Sequence, residues 1–99
     1  MSAIRFEWDE AKDRMNRRKH RISFETAKLV FADPFHMSRH DRIERDEDRW
    51  QTIGRLGEGA IVLVAHALRF EGETEVIRII SARKANKKER GVYEEQQID

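Results

Sequence analysis

The apolar pattern of this chain changes period once, and that change divides it. From Trp8 to Phe31 apolar residues recur at helical spacing; from Met37 to Ile80 they fall in short runs rich in β-branched residues. Ahead of both, Ile4 and Phe6 predict a short extended segment. Asp9 is an N-cap with Trp8 as its apolar N′ residue, so a first helix is expected over Glu10–His20. Its apolar face is thin, Ala11 and Met15, with long Arg and Lys stems covering the remainder. Ser23 caps a second helix whose buried face is Phe24, Ala27, Val30 and Phe31. Asp33 precedes Pro34, which ends that helix near Ala32.

The second half reads as strands. Met37–Ile43 and Arg49–Leu56 predict a hairpin around the acidic Glu44–Asp48 segment. Gly57-Glu58-Gly59 is a turn, and Ala60–Leu68 (AIVLVAHAL) is a central strand. A further turn at Gly72 leads into Val76–Ile80. Asn86 with Glu89 three residues on forms a capping box for a last helix over Lys87–Gln96. The expected architecture is α+β: two N-terminal helices, a four-stranded antiparallel sheet and a C-terminal helix, with strands at 49–56, 60–68 and 75–82.

Length and composition narrow the class. With 99 residues, one domain over 1–99 is expected. There is no cysteine, which rules out disulfides and thiolate metal sites and fits a cytoplasmic location. No apolar run is long enough to span a bilayer, so no membrane partner is expected. Charged residues make up 39% of the chain against a net charge of only +1, so any polyanion site must be local. Two basic blocks stand out: Arg14, Arg17, Arg18, Lys19 and Arg21, then Arg83, Lys84, Lys87, Lys88 and Arg90. Between them lies an acidic segment, Asp41–Asp48. Each block also has a plain reading as a solvated face.

Strand alternation supplies the candidate chemistry. Ile61, Leu63, Ala65 and Ala67 share one face of the central strand, and Val62, Val64, His66 and Leu68 the other. The small alanines suit a covering helix, which turns His66 toward the less covered face. A turn centred on Gly72 places His66 opposite Arg78. Arg55 joins them if the register of the preceding strand allows. His66, Arg78 and Arg83 are the catalytic candidates: histidine for proton transfer, arginine for the charge of a pentacovalent phosphate. Arg55, Lys84, Lys87 and Tyr93 are the RNA-binding candidates. The competing reading makes His66 a satisfied core residue and Arg78 one half of an ion pair. His36, His40 and Asp41 do not complete a set of metal ligands, and no metal or other cofactor is expected.

The segments FEWDEAKDRMNRRKHRISFETAKLVFADP, RWQTIGR, IVLVAHA and VIRIISARKANKKERGVYEE closely resemble, in order and spacing, the BrnT toxins of bacterial type II toxin–antitoxin modules. The resemblance runs from Phe6 to Glu95. It implies a RelE-like ribonuclease toxin that inhibits translation by cutting RNA, and with no metal site expected from the residues that cutting is expected to be metal-independent. It also implies neutralisation by a BrnA-type antitoxin, through which alone the pair meets DNA. The antitoxin is expected to cover the basic face around Arg55, Arg78, Arg83 and Lys84; the alternative is a grip on the N-terminal helices through Arg14–Arg21 that inhibits at a distance. A non-catalytic RNA-binding or repressor-complex module is the alternative. Arg21 stands where the family pattern has glycine, Ala67 where threonine is frequent, and Asn86 where threonine is common.

Overall fold

A computed structural model describes residues 3–96; the ends of the expected 1–99 domain lie outside the described residues. In chain order the elements are β1 (Ala3–Trp8), α1 (Glu10–His20), α2 (Phe24–Ala27), a 3₁₀ segment (Lys28–Ala32), β2 (Met37–Glu44), β3 (Glu47–Arg55), β4 (Ile61–Glu71), β5 (Thr74–Lys84) and α3 (Lys87–Glu95). The strands form one five-stranded mixed sheet in the order β1-β5-β4-β3-β2. This corrects the expected four-stranded antiparallel sheet behind two helices. The extended N-terminal segment is a strand in its own right, parallel to β5, with Phe6 beside Ile77 and Trp8 beside Ile79. It covers what would otherwise be an open apolar edge. The second expected helix is also shorter: one α-helical turn, then 3₁₀.

Local chemistry explains the remaining boundaries. The Asp9 carboxylate accepts from Ala11 N and Lys12 N at 2.7 and 3.3 Å, and Ser23 Oγ accepts from Thr26 N at 3.0 Å. Asn86 and Glu89 form the complete capping box at the start of α3. The β2–β3 turn holds Arg45 and Asp46 at φ 54° and 62°, the left-handed pair that a two-residue hairpin needs. Helix α1 ends on Arg21 at φ 62°, ψ 27°, its N–H bonded to Arg17 O. A side chain in that conformation costs roughly 1–2 kcal/mol.

The sheet separates two packed regions. Helices α1, α2 and the 3₁₀ segment seal one face, where Phe24, Ala27, Val30, Val62, Val64, Ile77, Ile79 and Ala82 are buried with Phe6, Trp8 and Phe31 against them. Gly54 admits this layer: a Cβ there would lie 2.9 Å from both Val30 Cγ1 and Val30 O. On the opposite face α3 covers one end only, burying Tyr93 on Ile53, Ile61 and Ala85.

Two side chains, one buried and one half-buried, continue ladders that strands leave unfinished. Strand β1 stops opposite Ile79; beyond it Asn16 of α1 accepts from Ala82 N at 3.0 Å and donates to Ala82 O at 2.9 Å. Its amide also donates to Ile22 O at 2.9 Å. Strand β2 stops opposite Ile53; beyond it the Asp33 carboxylate accepts from Arg55 N at 2.8 Å, and from the Tyr93 hydroxyl. Burial pushes the Asp33 carboxyl up, but the bonds from Tyr93, Arg55 N and Phe35 N outweigh it and hold the group below the usual carboxylate range.

Candidate nucleic-acid interface

The face left open by α3 is a floor of alternating strand positions. Pairing places Arg42, Arg49, Ala67, Arg78 and Glu7 in one row across all five strands. The next row holds Arg39, Gln51, Ala65 and Ser81, and the one after it Met37, Ile53, Leu63 and Arg83. Ala65, Ala67 and Ser81 are small, so the guanidiniums flank a shallow centre. Glu47 grips two of them: its Oε1 bonds Arg78 and lies 3.3 Å from Arg49 Nε. That Nε is buried and has no hydrogen-bond partner. Glu89 takes Arg83 in a two-point ion pair at 2.8 and 2.9 Å. The Arg83 bonds hold the Glu89 carboxyl below its ordinary value. Farther along, Arg69 joins Glu7 and Glu71 in the same manner.

His66 is not on this floor. Its expected place opposite Arg78 is corrected, because the β4–β5 turn centres between Gly72 and Glu73: Ala67 faces Arg78, and His66 faces Ile79. The helices cover the Val62, Val64, His66 face rather than the alanine face. The imidazole is 3% exposed, its ring edge-on to Phe31 with centroids 5.1 Å apart. The Ala67 carbonyl, 3.4 Å from Nδ1, can only accept, so Nε2 accepts from the Thr52 hydroxyl at 2.7 Å.

Burial pushes the His66 pKa down to about 4. In the unfolded chain it returns to about 6.5. Below that value the unfolded chain therefore binds a proton that the folded chain refuses. The stability tied to neutral His66 is complete above about pH 6.5 and is lost as pH falls toward 4, by about 3 kcal/mol in all. The lowered carboxyls of Asp33 and Glu89 titrate further down, so the loss between about pH 6.5 and 5 is expected to belong to His66. Thermal unfolding against pH checks this: the wild-type melting temperature should fall across that window, and that of His66→Gln should stay flat.

The other expected site residues separate. Arg78 and Arg83 share the open floor. Arg55 points to the same side but lies at its covered end, 5.8 Å from the Tyr93 ring and bonded to Gly59 O. Tyr93 is 1% exposed and its hydroxyl is committed to Asp33, so it is no stacking platform. Lys84 emerges on the helix side beside Arg17 and Arg21, and Lys87 is exposed on the first turn of α3. Arg39, Arg42, Glu47, Arg49 and Glu89 were missed. Alternation along β3 (Glu47, Arg49, Gln51, Ile53, Arg55) carried the signal once the hairpin register is known. Among the described residues no cluster of His, Asp and Glu could hold a metal ion; His36 bonds Asp33 O and His40 bonds Asp48. No helix among them is long and apolar enough to cross a membrane.

A single sheet is sealed by helices on one side and carries arginines paired with carboxylates on the other. The family described as "Ribonuclease toxin, BrnT, of type II toxin-antitoxin system" matches residues 8–89, and the chain belongs to it. It is a ribonuclease toxin of that class, and its class is paired with an antitoxin. The fold is similar to the crystal structure of the Brucella abortus ribonuclease toxin BrnT, with 22% identity, a TM-score of 0.56, and coverage of 87% of this chain and 100% of that one. No curated protein matches the sequence.

Proposed function

We propose that the open arginine floor is where RNA is bound and cut, without metal, and that cutting inhibits translation. The observation that carries this is the Arg42–Arg49–Ala67–Arg78 row with the Glu47 carboxylate held inside it. Cleavage through the 2′-oxygen needs a group to take the 2′-OH proton, a group to hold the pentacovalent phosphate and a proton for the 5′-oxygen. Glu47 takes the 2′-OH proton in this reading, and a water molecule protonates the departing 5′-oxygen. Arg78 and Arg83 hold the phosphate by their planar forks, and Arg49, paired to the same Glu47, adds its charge beside them. The floor carries no histidine, so His66 supports it from beneath, through Thr52 and Phe31, and does not carry protons.

A BrnA-type antitoxin would cover the same floor, since guanidiniums spaced for phosphates also accept carboxylates. Arg55, Lys84, Lys87 and Tyr93 then contribute less to RNA binding than Arg39, Arg49 and Arg78. One experiment tests the whole reading: purified toxin is incubated with RNA in EDTA. Cleavage is expected to persist at the rate seen without chelator. It should stop on addition of the antitoxin and return as RNA is raised in competition. Binding without cleavage would leave a non-catalytic module, and cleavage abolished by EDTA would sink metal independence.

A further inference from the structure

A second cationic surface lies on the helix side of the sheet, at the C-terminal end of α1. Arg14, Arg17, Arg18 and Arg21 line one shallow depression there. Arg17 and Arg21 also line its neighbour, together with Ser23, Thr26 and Lys84. All five cations are exposed. Arg17 has a carboxylate partner, Asp13, at 3.7 Å; among the described residues the other four have none within ion-pair distance.

The helix dipole accounts for cations in a last turn. It does not account for Arg21, which lies past the helix in the left-handed conformation that favours glycine. A side chain kept in a strained backbone position points to a use for that side chain. The surface adjoins the open floor at β5: Arg18 and Lys19 share a depression with Ile80 and Ser81, and Ser81 belongs to the floor. Arg83 and Lys84 are consecutive on β5, so they project to opposite faces: Arg83 to Glu89 on the floor, Lys84 to the depression with Arg17 and Arg21. The end of β5 thus carries a cation on each side.

The geometry points to a second phosphate-binding surface, made by Arg14, Arg18, Arg21 and Lys84, which holds the backbone of an RNA strand as it leaves the open floor over the edge of β5 beyond the end of β1. It rests on the reading of that floor as the RNA site. Exposed, mutually separate cations hold phosphates without reading bases, so the surface adds affinity and not sequence preference.

The test uses 2′-O-methyl RNA, which cannot be cut through its 2′-oxygen, in two lengths: a short oligonucleotide that fills only the floor and a longer one that reaches α1. In the Arg14→Gln/Arg18→Gln/Arg21→Gly variant, affinity for the long RNA is expected to fall about tenfold or more. The slope of log affinity against log salt should lessen by about 2. Short-RNA affinity and cleavage of a short substrate should stay at wild-type values. Arg21→Gly alone gives a signature that a structural role would not: the melting temperature rises as the backbone strain is relieved, while long-RNA affinity falls. Unchanged long-RNA affinity and salt slope would overturn the proposal. So would variants that weaken the antitoxin complex and leave RNA binding intact, which would make the surface an antitoxin contact. Failure of the floor reading shows separately: Arg78→Ala would then leave short-RNA binding intact, whatever the α1 variants do.

Discussion

Arg78→Ala is expected to lower RNA cleavage about 10²–10³-fold, the usual loss when one preorganised donor to a developing oxyanion is removed. Arg78 sits mid-strand on β5, between the buried Ile77 and Ile79, so its backbone is fixed by the core beneath it. Its side chain is one-third exposed and already oriented by Glu47, which leaves part of the guanidinium facing the floor. The arginine therefore needs little reorganisation when phosphate charge builds. Glu47→Gln is expected to cost about 10²–10⁴-fold, the range for loss of a general base. Because the two groups touch, the double variant should lose much less than the product of the single losses. Arg78→Lys should recover only part of the rate, since lysine restores the charge but not the planar fork. Single-turnover cleavage in EDTA measures all four, with thermal unfolding run alongside to show that each variant is folded. Wild-type cleavage by Arg78→Ala would remove the floor from the mechanism.

The largest effect on stability is expected at Asn16, a residue with no part in the chemistry. Its side chain is 6% exposed and ties α1 to β5 and to the loop before α2. Asn16→Leu leaves Ala82 N, Ala82 O and Ile22 O without partners away from water. With about 1–3 kcal/mol for each unsatisfied group, partly offset by the added apolar contact, the cost is about 3–5 kcal/mol. That is a large part of the 5–15 kcal/mol that holds most domains folded. Asn16→Asp gives the sign check. The carboxylate can still accept from Ala82 N, but it faces two carbonyl oxygens that formerly received protons. Its folded pKa should be raised above the unfolded value of about 3.9, so its protonated form is favoured in the fold. The destabilisation should be full at neutral pH and shrink as pH falls through the raised pKa. Urea midpoints at two pH values measure this; equal losses at both would mean that the amide donors contribute nothing.

The chain's local rules were legible without its structure. Asp9, Ser23 and Asn86 announce three helix starts because a cap satisfies amides two or three residues away. Asp33-Pro34 announces a stop for a similarly local reason. The β-branched runs and the Glu44–Asp48, Gly57–Gly59 and Gly72 turns locate β2 to β5 within a few residues. Arg21 was marked only by the glycine that the family pattern has there; its left-handed φ came with the structure. Arg78 and Arg83 could be singled out because a cation inside or just after an apolar strand has few structural excuses.

What only the tertiary structure decided depends on parity and on partners distant in sequence. Ala3–Trp8 has no turn to name its neighbour, and that neighbour, β5, lies about seventy residues on. Its pairing follows from burying Phe6 and Trp8 on a core that exists only after β4 and β5 have met. The half-residue shift of the turn at Gly72–Glu73 replaced His66 by Ala67 opposite Arg78, and one step in a period of two exchanges the faces of a sheet. That step took the histidine off the open floor and into the core. The same parity brought Glu47, Arg49 and Arg78 together across three strands. Sequence fixes which side chains a strand carries, but the register between strands decides which of them share a surface.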